Sequence, residues 1–210
     1  ERGVMDFVAF DTETTGVSPR WDAVIEIGAV LFSDGVPVDT FNELIDPGRP
    51  IPRGATQIHG ITDEMVSGKP QIGDVLPRFA DFCVNLPLVA HNARFDFKFI
   101  DRAVRRLACP APKGPILDTL ALSRKLWAGM PNYQLGTLVR VFGLPAGRFH
   151  RAADDALYCG QIFQMLWERC QVNWPDMTMD GLVKICGRRK MRFYDFAEDK
   201  PASWFAGFFD

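Results

Sequence analysis

The chain has 210 residues, 47% hydrophobic and 24% charged, with a formal net charge of −2. That length suits one domain with a full core plus an appendage. The charge argues against a broadly basic nucleic-acid coat but leaves room for a local basic groove. No apolar run approaches the roughly 20 residues that span a bilayer, so no membrane partner is expected. The five cysteines are odd in number and widely spaced, with no Cys-x-x-Cys pair. They read as reduced thiols of a cytoplasmic protein rather than a disulfide framework or a zinc site. The opening Glu1-Arg2-Gly3 lacks signal-peptide character and an initiator Met, as a trimmed chain would.

In chain order, residues 4–11 read as a buried strand that delivers Asp11, and 23–33 as a second strand. Ser33-Asp34-Gly35 is a turn signal, and 36–45 form a third strand, so the chain opens with an antiparallel meander. Pro47 to Pro52 is a loop, followed by a short helix and the segment Ile58-His59-Gly60-Ile61-Thr62. Thr62 with Met65 and Val66 suggests a capped helical turn. Apolar residues recur at helical spacing over 72–84, with Pro77 expected at a break or in the first turn. Leu86 to Ala90 reads as a strand leading into a helix at about 93–107. On that helix Lys98, Arg102, Arg105 and Arg106 face away from the apolar side and are read as a solvated outer face. A strand near 115–117 and helices near 118–128, 133–142 and 153–170 complete the pattern. The expected class is α/β, with a mixed sheet of antiparallel meander plus parallel strands flanked by helices.

Residues 1–170 are taken as one domain and 171–210 as a C-terminal extension packed on it. The extension opens on the helix-breaking Asn173-Trp174-Pro175-Asp176 and has six acidic and six basic residues. Its Arg188-Arg189-Lys190-x-Arg192 cluster is either a guide for nucleic acid or a solvated turn. Its closing run, Trp204-Phe205-Ala206-Gly207-Phe208-Phe209, is read as packing against the domain.

The chemistry starts at Asp11 and Glu13, one residue apart at the end of an apolar run. In a strand such residues share a face. Two adjacent carboxylates raise each other's pKa unless a cation lies between them, and a hard divalent ion with oxygen ligands resolves the conflict. A two-metal phosphoryl site needs more carboxylates converging on ions about 3.5–4 Å apart. Asp96 in the first turn of the 93–107 helix, and Asp155 near the start of the last long helix, are the next candidates. His150, just before that helix, has an intrinsic pKa suited to taking a proton near neutrality. Each residue alone is also compatible with a surface or packing role; the order and spacing together carry the reading.

Three segments resemble the exonuclease motifs of the DEDDh 3′–5′ exonucleases. They are Phe10-Asp11-Thr12-Glu13-Thr14-Thr15-Gly16, His91-Asn92-Ala93-x-Phe95-Asp96 and His150-x-Ala152-x-x-Asp155-Ala156. The likeness is strongest to the epsilon-type proofreading members of bacterial DNA polymerase III. It extends to Ile25-Glu26-Ile27-Gly28-Ala29-Val30, Ile58-His59-Gly60-Ile61-Thr62 and Asp118-Thr119-Leu120-Ala121, and covers residues 4 to about 168. The resemblance implies an RNase H-like exonuclease fold and two Mg²⁺ or Mn²⁺ ions. It implies Asp11 bridging both metals, Glu13, Asp96 and Asp155 as further ligands, and His150 as general base. Products would be nucleoside 5′-monophosphates from a single-stranded or frayed 3′ end, DNA favoured, with a DNA polymerase subunit as a possible partner. The family's spacing from the histidine selects Asp155 over Asp154, and Asp154 is read as an acidic residue suited to a helix's first turn.

Thr12, Thr14, Thr15, His59, Asn92 and Phe95 are the expected substrate contacts. His59 has a second reading as a loop-stabilising residue, because Gly54 stands where related proteins can carry a glutamate. Phe95 has one as core packing, and His91 is expected to orient its loop. Two other functions stay open: an exoribonuclease acting on RNA or short oligonucleotides, and a non-catalytic polymerase-binding module. The intact set Asp11, Glu13, Asp96, His150 and Asp155 argues against the second.

Overall fold

The structure is a computed structural model that describes residues 5–145, 149–187 and 191–196. Three strands lead the chain: β1 (Phe7–Thr14), β2 (Val24–Ser33) and β3 (Val36–Leu44). Next come α1 (Arg53–His59), α2 (Asp63–Val66) and α3 (Ile72–Cys83). β4 (Leu88–Ala90), α4 (Arg94–Leu107) and β5 (Ile116–Asp118) follow. The last elements are α5 (Thr119–Leu126), α6 (Leu135–Val141), α7 (Ala152–Asn173) and α8 (Met179–Cys186).

The sheet has the order β3-β2-β1-β4-β5. The β1–β2 and β2–β3 pairs are antiparallel, and β1–β4 and β4–β5 are parallel. The meander and the parallel half of the mixed sheet therefore meet at β1. Alternation along β1 divides the interior. Val8 and Phe10 enter a core shared with Val75, Leu76, Phe79, Ile100 and Val104 of α3 and α4. Phe7 and Ala9 enter the opposite core, with Ile162, Phe163 and Leu166 of α7. Phe7 stacks on Phe32 at 4.9 Å and meets the edge of Phe163 at 4.7 Å. Burying such a ring contributes about 1.5–3 kcal/mol.

Several local expectations change. β1 extends three residues past Asp11, so Asp11 and Glu13 both lie inside the strand. Pro77 sits in the second turn of an unbroken α3. The N–H that proline lacks would have bonded the Gly73 carbonyl. Thr62 holds the N-cap position of α2, but its side chain makes no capping hydrogen bond to the helix backbone. α8 was not read from the sequence. Its Leu182 and Val183 are buried in the α7-side core, and Phe193 is buried in the other. The Arg188–Lys190 cluster and the Trp204–Phe209 run lie outside the described residues.

The start of α7 lies directly on β2. A Cβ on Gly28 would overlap the Ala152 carbonyl carbon and the Ala153 nitrogen, both backbone atoms that have nowhere to go. Gly28 thus permits the close approach that brings α7 to the sheet. Gly28→Ala is expected to cost on the order of 3 kcal/mol, the upper range for overpacking. Urea denaturation checks this, and an unchanged midpoint would contradict the role assigned to Gly28.

Candidate active site

The site forms at the C-terminal end of β1, where side chains arrive from both faces of the sheet. Strand alternation turns Asp11 and Glu13 toward the α7 face, with Phe7 and Ala9, and turns Thr12 the other way. Asp96, in the first turn of α4, comes from the Thr12 side. Its Oδ1 accepts from the Thr12 amide at 3.1 Å and the Thr12 hydroxyl at 2.6 Å. Thr12 is therefore the clamp that ties the α4 carboxylate to β1.

Asp155 enters from the first turn of α7. Its Oδ2 accepts the His150 amide at 2.9 Å, and its Oδ1 is buried with no hydrogen-bond partner. His150 is exposed and holds a left-handed backbone, φ 64°. Such a conformation costs a non-glycine residue about 1–3 kcal/mol and persists only where surrounding contacts fix it, as the Asp155 bond does here. Ligand atoms of Glu13, His150 and Asp155 all lie within 4.8 Å of one another. Asp154 is outside this group, beside Val30, Pro37 and Val38.

Glu26 is the functional residue whose role sequence reasoning missed. It pairs with Glu13 across β1 and β2 and is fully buried. Arg151 approaches it with Nη2 at 2.7 Å and Nε at 3.2 Å, and the Ala152 amide donates to it at 3.0 Å. A buried carboxylate needs such partners. The available signal was the single charge inside the apolar Val24–Phe32 run. This bond fastens the start of α7, and with it His150 and Asp155, to the sheet.

These carboxylates crowd a poorly solvated space. Burial, followed by the charges of Asp96, Asp155, Glu13 and Glu26, pushes Asp11 well above the usual carboxylate range. Burial, then Asp155 and Glu26, raises Glu13 to about 8, with Arg151 pulling the other way. Burial raises Asp155 to about 6 against the lowering effect of the His150 amide. Asp96 is raised by burial, although Thr12's hydrogen bonds favour its charged form. Only cations arriving from outside would let all four ionise together. The oxygen-rich donors, the histidine and the orphaned Asp155 Oδ1 suit a hard divalent metal.

The other expected contacts are placed as follows. The Thr14 hydroxyl donates to the Gly16 carbonyl at 2.6 Å, and the Thr15 hydroxyl accepts the Ala23 amide at 2.9 Å. The Thr15 amide donates to the Ala23 carbonyl at 2.9 Å. These groups fold the β1–β2 loop. His59 is buried; its Nδ1 accepts the Ile61 amide at 3.0 Å while Nε2 has no partner. Burial holds its pKa below the usual histidine value. Asn92 is exposed with φ 60°, and its amide donates to Asp118 at 3.0 Å. Phe95 packs on Phe99, ring centroids 5.1 Å apart. His91 is bonded at both nitrogens, to the Thr119 hydroxyl and the Tyr133 carbonyl, each at 2.9 Å. Since a carbonyl only accepts, Nε2 carries the proton, and the ring braces its loop.

Two predictions follow from this geometry. Arg151→Met leaves Glu26 buried and unpaired and is expected to cost about 3 kcal/mol. The double change Glu26→Gln with Arg151→Met is expected to recover part of that stability. Denaturant titration of both variants checks this, and equal stability of Arg151→Met and the parent would contradict it. The second concerns pH without metal. The raised carboxylates bind protons more tightly in the folded chain than in the unfolded one. Their stabilising protonation is complete below about pH 4, the unfolded value. It is lost as pH climbs through about 6 for Asp155 and about 8 for Glu13. In chelator, Tm should therefore fall across that window, and added Mn²⁺ should raise Tm more at pH 8 than at pH 5. A flat profile in chelator would contradict it.

Comparison with known proteins places this geometry in context. A family model described as Exonuclease matches residues 8–163. The PolC-type DNA polymerase III of Thermotoga petrophila is 44% identical over 157 residues, 75% of this chain and 11% of the polymerase. That of Thermotoga maritima is 38% identical over 200 residues, 95% of this chain and 14% of the polymerase. The chain thus spans only a small part of these relatives. Among solved structures, exonuclease X in complex with 5′-overhanging duplex DNA is 31% identical with a TM-score of 0.65. That match covers 86% of this chain and 99% of exonuclease X. E. coli exonuclease I with a dT13 oligonucleotide has a TM-score of 0.71 at 18% identity, covering 82% of this chain and 43% of that one. The latter shows likeness of fold alone, the RNase H-like arrangement expected from the motifs. The match across residues 8–163 and over nearly all of exonuclease X shows that the chain belongs to the exonuclease family.

Proposed function

We propose that this chain is a 3′–5′ exonuclease that removes nucleoside 5′-monophosphates from DNA ends in proofreading or repair, using two Mg²⁺ or Mn²⁺ ions. One observation carries the reading. Four carboxylates from three elements, Asp11 and Glu13 on β1, Asp96 on α4 and Asp155 on α7, converge beside His150 at one end of the sheet. Asp11, Glu13, Asp96 and Asp155 would hold the ions, with Asp11 shared between them. Bound ions would neutralise the carboxylates and polarise the scissile phosphate.

His150 takes the proton of the attacking water at a ring nitrogen; its exposure and its place beside Asp155 suit that task. The oxygen–phosphorus bond forms as the bond to the departing 3′ oxygen breaks, and that oxygen is protonated from solvent. Thr12 keeps Asp96 in place, and Arg151 with Glu26 keeps His150 and Asp155 in place. Among the other candidates, Asn92, which is exposed, and His59, whose buried Nε2 has no hydrogen-bond partner, are the groups we propose for the terminal nucleotide. Thr12, Thr14, Thr15 and Phe95 act through the protein around them.

DNA is favoured because a relative covered over nearly its whole length was solved with DNA. The polymerase relatives support work beside a DNA polymerase, within one chain or across two, in the cytoplasm. We also propose residues 1–170 as the catalytic unit, with the extension serving as its brace through α8 and Phe193.

The test uses matched DNA and RNA oligonucleotides labelled at the 3′ or 5′ end, with Mg²⁺, Mn²⁺ or chelator. Expected are mononucleotides released from DNA 3′ ends, faster than from RNA, and none in chelator. Release from 5′ ends, or a preference for RNA, would overturn the reading. His150→Ala is expected to lower kcat by about 10²–10⁴-fold with KM little changed. An unaltered kcat would remove His150 from the chemistry.

A further inference from the structure

A cavity of about 360 Å³ opens beside the carboxylate centre, between the β1–β2 loop, the loop after β3, the start of α3 and the flank of α4. Arg20, Arg49, Arg102 and Arg106 line it, and all four are exposed. Among the described residues none of the four has a carboxylate partner, whereas Arg78, Arg105 and Arg151 each do. The two carboxylates in the lining are engaged elsewhere. Asp22 accepts the Ser18 amide at 2.8 Å, and Asp46 accepts the amides of Gly48 at 2.8 Å and Gly68 at 3.3 Å. Four cations, none of them in an ion pair among the described residues, thus outnumber the two carboxylates of the lining, and such a cleft concentrates anions. Trp21 stands at the same rim, 67% exposed, with the Arg20 guanidinium 4.8 Å from its ring centroid.

The α4 arginines were read from sequence as one solvated face with Arg105. The structure divides them. Arg105 is paired with Asp101 at 2.6 Å and lies over Tyr194, while Arg102 and Arg106, four residues apart, turn into the cavity. Along α4 they follow Asp96 at about 9 and 15 Å, from a rise of about 1.5 Å per residue. The cavity also reaches Val24, the partner of Thr14 across the sheet. It therefore begins where the catalytic end of β1 stops.

We infer that this groove is a phosphate track for single-stranded DNA leading away from the 3′ end under hydrolysis. Arg20, Arg49, Arg102 and Arg106 meet successive phosphates, and Trp21 offers a stacking surface for a base. The inference rests on the exonuclease reading and adds to it how the chain holds a strand while carrying net negative charge.

The test measures binding of dT3 and dT12 by fluorescence anisotropy at several salt concentrations, with Ca²⁺ in place of Mg²⁺ to slow hydrolysis. The parent chain should bind dT12 much more tightly than dT3. Arg102→Gln with Arg106→Gln should erase most of that gain and lower the salt slope of log affinity by about 0.7 for each lost phosphate contact. Trp21→Ala should weaken dT12 binding about tenfold with the salt slope retained. Arg78→Gln, a charge loss elsewhere, should change neither. Circular dichroism confirms that each variant is folded. A double variant with the parent's length gain and salt slope would overturn the track, as would selective loss of polyglutamate binding with dT12 binding intact. Hydrolysis of dT12 by the parent in Mg²⁺ is scored separately. An arginine-dependent salt slope without cleavage would overturn the exonuclease reading alone.

Discussion

Mutual repulsion among buried carboxylates is the constraint on which the rest of the structure turns. Asp11, Glu13, Asp96 and Asp155 are each held above the usual carboxylate range, first by burial, and the Glu26 carboxylate lies behind them. A fold does not hold such a cluster without restraint from outside it. The Thr12 clamp restrains Asp96. The Glu26–Arg151–Ala152 junction restrains Asp155 and His150. Gly28 lets α7 come close enough for that junction to form. Each restraint is anchored in β1 or β2, two long and largely buried strands. The site draws its rigidity from the sheet, and the charge the sheet forces together suits a divalent cation.

The chain separates its two kinds of charge. Negative groups meet at the end of β1, in a cluster suited to a cation. Arginines with no ion pair among the described residues line the cleft on the α4 side, where we infer that a polyanion runs. A net charge of −2 hides this division completely. Between the two regions lies the β1–β2 loop, closed by Thr14, Thr15 and Asp22. That loop carries Arg20 and Trp21 on its outer side, so the same hydrogen bonds that finish β1 also shape the rim of the groove.

Much of the fold was legible because its signals are local. The apolar runs of β1 and β2, the Ser33-Asp34-Gly35 turn and the helical spacing of α4 and α7 need no tertiary knowledge. The candidate carboxylates were legible for a different reason: their order and spacing form a pattern that isolated acidic residues do not. What was missed depends on distant partners. Nothing near Glu26 in the sequence indicates that Arg151, 125 residues on, will meet it. That Thr12 also holds Asp96 depends on where α4 packs, 84 residues further along the chain. Arg102, Arg105 and Arg106 looked alike because Asp101 and Tyr194, which occupy Arg105, and the loops that enclose the other two, are supplied by the fold. α8 was missed because its apolar content is short and is completed only against α5 and β5.

The central claim is that the carboxylate cluster exists to gather divalent cations for cutting a nucleic-acid end. Counting bound Mn²⁺ by electron paramagnetic resonance, with a nucleoside 5′-monophosphate present, tests it most directly. Two ions per chain, falling to one or none in a folded Asp11→Asn variant, are predicted. No stoichiometric Mn²⁺, or binding untouched by Asp11→Asn, would contradict the claim.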